Sequence, residues 1–95
     1  MMFIALQQAL LSLVLSAHVG SAPLLVTARV TVSDLLRGEV CLVWDSLVEY
    51  HRDCWSAELG PRTKWIQVTL HTPGTYEVYA ATASLKSNTA IVEVK

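Results

Sequence analysis

The stretch Leu24-Leu25-Val26-Thr27-Ala28-Arg29-Val30-Thr31-Val32-Ser33 puts Leu24, Val26, Ala28, Val30 and Val32 on one side of an extended chain. Thr27, Arg29, Thr31 and Ser33 fall on the other side. A period of two is what a half-buried β-strand requires, because successive side chains point to opposite faces of the pleat. Downstream, the same period recurs in runs of similar length. Glu39–Asp45 offers Val40, Leu42 and Trp44 as an inward set, and Asp45-Ser46 is a hairpin signal leading into Leu47–Trp55. After Gly60-Pro61, Lys64–His71 turns Ile66, Val68 and Leu70 inward and leaves Trp65 on the opposite side. Pro73-Gly74 makes the next turn, Tyr76, Val78 and Ala80 form another inward set, and Thr89–Val94 closes the chain after Lys86-Ser87-Asn88. Short strands punctuated by Gly, Pro, Asp and Asn predict an all-β, antiparallel sandwich, with no helix of consequence after Pro23.

The sequence upstream of this body has a different character. From Met1 to Ala28 there is no Asp, Glu, Lys or Arg, and the first such charge is Arg29. Ala9–Val19 has the length of a secretory apolar core, and Gly20, Ser21 and Ala22 supply the small residues of a cleavage region, after Ser21 or after Ala22. No basic residue precedes that core, Pro23 adjoins one of the two bonds, and Arg29 and Arg37 lie downstream. Those features keep open an uncleaved apolar anchor over residues 1–22, since about 20 apolar residues span a bilayer. A third reading is a buried apolar helix or strand of the folded body. The expected organisation is therefore an N-terminal apolar helix, signal or anchor, over 1–22 and one small sandwich domain over 23–95. All seven Lys and Arg and all eight Asp and Glu fall in the second part, for a net charge of −1. No basic stripe is present to follow a nucleic-acid backbone.

Within the body, Leu70-His71-Thr72-Pro73-Gly74-Thr75-Tyr76-Glu77-Val78 resembles the corner before strand F of immunoglobulin-like and fibronectin type III-like domains. There a Tyr follows a Gly turn and its hydroxyl ties back to the upstream backbone. Trp44 stands where those folds carry the core Trp of strand C. Val78 occupies the position at which true immunoglobulin domains have a Cys, so their inter-sheet disulfide is absent. The resemblance spans about Pro23–Lys95 and implies a superfold; the superfold hosts many unrelated roles. Six strands are apparent where seven are expected. Either Leu24–Ser33 merges the first two, or an edge strand is missing and leaves a groove that a partner's strand fills.

Cys41 and Cys54 are the two cysteines. In an exported domain an even count points to a disulfide, with two free thiols or a metal role as alternatives. A hairpin turning at Asp45-Ser46 would pair Cys41 with Tyr50, so a bridge needs a turn centred near Leu47-Val48, a bulge, or pairing between sheets. Glu49, His51 and Asp53 recur at two-residue spacing on one strand face, the minimum for gripping a divalent cation, although no fourth ligand is evident. There is no nucleophile elbow, phosphate loop or HExxH motif, and Cys54 and His51 fall on opposite strand faces. The chain is thus expected not to be an enzyme and to need no cofactor. Trp65 and Tyr79 point away from their neighbours' inward sets, and Trp55 shares the face of Glu49, His51 and Asp53. These three aromatics are the expected contact anchors, because exposed aromatics are enriched at interfaces. The resulting expectation is a secreted or extracytoplasmic binding module of adhesion or surface-assembly type, working with a protein partner or with copies of itself. The alternative is an accessory subunit of a membrane complex, held through residues 1–22.

Overall fold

The chain is extended wherever apolar residues recur at every second position. The structure, a computed structural model, describes residues 11–33, 36–58 and 62–95. Among these residues it contains no helix and eight strands: β1 (Leu11–Leu15), β2 (Val19–Gly20), β3 (Leu24–Val32), β4 (Glu39–Asp45), β5 (Tyr50–Ser56), β6 (Thr63–Leu70), β7 (Gly74–Ala81) and β8 (Ala90–Val94). They form two sheets, a three-stranded one in the order β1-β3-β6 and a five-stranded one in the order β2-β8-β7-β4-β5. All named pairings are antiparallel except that of β2 with β8, which is parallel.

The inner faces of both sheets contribute to one apolar core. Val26, Ala28, Val30 and Val32 of β3, with Ile66 and Leu70 of β6, share it with Val40, Leu42 and Trp44 of β4, Tyr76, Val78 and Ala80 of β7, and Val92 and Val94 of β8. These are the inward sets expected from alternation, with Leu24 and Val68 left half-buried at the margin. Burying each such side chain contributes about 1.5–3 kcal/mol relative to leaving it exposed, which is why alternation decides which way a strand faces.

The apolar N-terminal stretch departs from expectation. Residues 1–10 lie outside the described residues, but Leu11–Leu15 and Val19–Gly20 form β1 and β2 in place of the helix expected over 1–22. The reason is visible in Leu11-Ser12-Leu13-Val14-Leu15, whose burial alternates; Leu11, Leu13 and Leu15 enter the core while Ser12 and Val14 face out. β1 pairs along its length with β3, from Leu11 opposite Val32 to Leu15 opposite Ala28. The Asn88 side chain also clamps the Leu13 backbone: the Leu13 N–H donates to Oδ1 and Asn88 Nδ2 donates to the Leu13 carbonyl, both at 3.0 Å. Two strands, β1 and β2, are thus supplied from upstream of Pro23 in addition to the six legible downstream of it. β3 is one continuous strand and does not divide in two. No helix among the described residues is long and apolar enough to cross a membrane.

Candidate binding faces and the clasp at Glu49

The β4–β5 hairpin has the register that brings the two cysteines together. Asp45 pairs with Tyr50 and Cys41 with Cys54, so the turn is centred on Leu47-Val48, and Cys41 and Cys54 form a disulfide. Among the described residues, the one convergence of three metal-capable side chains is Glu39 with these two cysteines, whose sulfurs are already bonded to each other.

Glu49, His51 and Asp53 do not converge. Glu49 precedes β5 and its carboxylate is turned toward the β6–β7 turn, where Oε1 accepts the backbone N–H groups of His71 and Thr72, each at 3.0 Å. Oε2 accepts from His51 Nε2, since a carboxylate can only accept. The Tyr76 hydroxyl lies 2.6 Å from the Thr72 carbonyl and 3.1 Å from Glu49 Oε1, and its single proton serves those two acceptors. The hydroxyl thus ties back to the upstream backbone at Thr72, as expected from the sequence, and a Cβ at Gly74 would come within 2.9 Å of Val48 Cγ2. Asp53 is exposed further along β5. The three residues thus divide their work, and Glu49 fastens the start of β5 to the β6–β7 turn. Sequence reasoning missed this because it placed Glu49 within the strand.

Burial pushes the Glu49 carboxyl upward, but the hydrogen bonds from His51, Thr72, His71 and Tyr76 outweigh it and hold the pKa at about 2, against an ordinary 4.5. Burial and the adjacent carboxylate raise the Tyr76 hydroxyl. Because the folded value of Glu49 is depressed, its stabilisation is fully present above about pH 4.5 and is lost as pH falls from there toward 2. After discounting for solvent screening this is about 1–2 kcal/mol. Thermal melts from pH 7 to pH 2 should therefore fall more steeply below pH 4.5 for the wild type than for Glu49→Gln, which carries no charge to lose. Parallel acid limbs would contradict this role for Glu49.

The three expected contact aromatics meet different fates. Trp65 is 64% exposed on the outer face of the three-stranded sheet. Arg29 is its partner across β3 and β6, with the guanidinium carbon 5.7 Å from the ring centroid, and Val14 is the partner of Arg29 on β1. Val14, Leu15, Ser16, Thr27, Arg29 and Trp65 line a shallow hollow of about 280 Å³ there. Tyr79 is half-buried on the outer face of the five-stranded sheet, with the Lys86 ammonium 4.3 Å from its ring centroid. Beside it is a groove of about 470 Å³ floored by Cys41, Val43 and Ala81 and bordered by Arg52. Trp55 is not a surface anchor. It is 9% exposed and belongs to the core, opposite Val40, with Lys64 5.5 Å from its ring centroid. It does share the inward face with His51 and Asp53, as parity required, but those two lie nearer the open flank of the sandwich, where β5 and β6 border a cleft with Trp44.

Compared with family models, with curated proteins and with solved structures, the chain matches none.

Proposed function

We propose that the chain is an immunoglobulin-like or fibronectin type III-like sandwich, exported from the cytosol, that works by binding and not by catalysis. The division into three and five strands, the parallel pairing of β2 with β8, and the Tyr76 corner support the superfold. The disulfide supports an oxidising compartment outside the cytosol. The observation that carries the binding role is Trp65, 64% exposed on a sheet face beside Arg29 and Val14. Trp and Arg dominate interface hot spots, where removal of one such anchor costs about 2 kcal/mol or more, roughly thirtyfold in affinity. A protein partner on a cell or assembly surface is the occupant this reading favours.

The test is a photo-crosslinking amino acid at position 65 in the natively expressed protein, with the same group at the exposed Thr31 as control. A discrete adduct at 65 that is absent at 31 is expected, and Trp65→Ala should weaken capture of the same partner at least thirtyfold without moving the melting curve. Equal crosslinking at both positions would remove Trp65 as the anchor.

A further inference from the structure

The three-stranded sheet has two edges, and only one of them is closed. In β1 the N–H and C=O of Leu13, which face away from β3, are both taken up by the Asn88 side chain. At the β6 edge, the Val32 N–H donates to the Arg62 carbonyl, which fixes the phase of the β3–β6 ladder. In an antiparallel ladder the backbone groups of successive residues point to opposite sides. Ile66 and Val68 therefore bond to β3, while the N–H and C=O of Trp65, Gln67 and Thr69 point to the open side. Among the described residues nothing bonds to them. The layer beneath this edge is uncovered as well. β5 is the last strand of the larger sheet, and Trp55 is its one buried side chain. Its inward-facing Asp53 is exposed and has no ion-pair partner among the described residues. With His51, Trp44, Ile66 and Val68 it borders a cleft of about 200 Å³. Toward Trp55 stands Lys64, its ammonium 5.5 Å from the indole centroid.

We propose that the open edge of β6 receives an extended segment of another protein as an antiparallel fourth strand, with a basic residue where that segment crosses Asp53. The free backbone groups dictate an extended occupant, because a β-strand offers donors and acceptors at the same two-residue interval. Antiparallel pairing matches the rest of this sheet and is the more stable per residue. β6 is the receiving edge because a strand beside it lies over the uncovered part of β5, whereas a strand added beside β5 has no layer beneath it. Residues of the incoming strand opposite Ile66 and Lys64 face inward, as those two side chains do. The first meets Asp53 and is basic; the second meets Lys64 and is acidic. Charges that point inward at an edge turn away apolar strands, so the same residues that protect β6 from indiscriminate pairing select a complementary order of charge. The Trp65 side chain lies on the outer face and is not needed for this pairing, which stands or falls apart from the contact proposed above.

The probe is a capped peptide, Thr-Val-Thr-Lys-Thr-Glu-Thr, which in antiparallel register sets its Val opposite Val68, its Lys opposite Ile66 and its Glu opposite Lys64. The control peptide exchanges the Lys and the Glu and keeps the composition. Amide hydrogen exchange of the full chain is followed by NMR as each peptide is added to about 2 mM, a range suited to weak edge pairing. Slowed exchange at Trp65, Gln67 and Thr69 is expected, with β5 unchanged, and the control should bind about tenfold more weakly. Methylating the backbone nitrogen of the peptide's third residue, which pairs with Gln67, should remove the protection while leaving the protein untouched. Asp53→Lys, with a melt to confirm that it folds, should abolish the preference between the peptides. Absence of protection at the highest peptide concentration overturns the proposal. So do equal binding of the two peptides, protection on β5 instead of β6, or indifference to the N-methyl group.

Discussion

A chain beginning at Pro23 is expected to lose the cooperative fold at 25 °C. It would lack β1, whose Leu11, Leu13 and Leu15 are 9%, 4% and 7% exposed in the core. Replacing one buried Leu by Ala in a well-packed interior costs about 2–5 kcal/mol. Three such losses, with the inner face of the opposite sheet newly wetted and the β3 edge bared, match the whole 5–15 kcal/mol that holds a domain together. Losing β2 also frees one edge of β8, where Glu93 N–H now donates to the His18 carbonyl and Lys95 N–H to the Gly20 carbonyl. Leu13→Ala in the full chain gives the graded version, an expected loss of about 2–5 kcal/mol in urea melts. A truncated chain that melts cooperatively with nearly full stability would sink this account of β1. The result bears on export as well. The segment that reads as a secretory core is the segment the sandwich uses as a strand. Folded protein recovered from its native source is therefore expected to retain residues 11–20, which intact mass decides.

How much of this was legible in the residues depends on what surrounds each of them. Val26, Ala28, Val30 and Val32 were readable because their polar neighbours Thr27, Arg29 and Thr31 make the alternation plain. In β1 the same alternation is hidden: Val14 occupies an outward position without being polar, and the strand sits in a charge-free run that mimics a membrane segment. Length and hydropathy cannot tell an apolar strand from an apolar helix, and only the partner β3 and the Asn88 clamp decide it. Parity turns Trp65 outward, as in the structure. For Trp55 parity gives the face but not the environment, because it orders faces and does not say which end of an edge strand the second sheet covers. The cysteines showed the opposite pattern. Their pairing needed a turn at Leu47-Val48, a two-residue shift from the Asp45-Ser46 signal, and the hairpin has that turn. The Glu49 clasp was illegible since its partners, His71, Thr72 and Tyr76, lie more than twenty residues away.

Removing the disulfide is expected to be the largest effect of any exposed-edge change. Cys41 and Cys54 are 13 residues apart, and closing a loop of that size restrains the unfolded chain by about 3 kcal/mol. For a domain of this size that is roughly 12–24 °C in melting temperature. The surroundings of β5 explain an effect of this size. β5 is the last strand of its sheet, with β4 as its sole neighbour, and Trp55 is its one buried side chain. Little apolar packing holds it, so its fastenings matter: the disulfide near its end and the Glu49 clasp at its beginning. Both act on the same seven residues, so their loss should not be additive. Cys41→Ala/Cys54→Ala and Glu49→Gln should each leave β5 held at one end. The triple variant should release it, seen as rapid hydrogen exchange across Tyr50–Ser56 while β3 and β7 stay protected. Melting temperatures within about 3 °C of wild type in the double-alanine variant would show that β5 needs no staple, and equal exchange in β5 and β3 would show that it has no independent release.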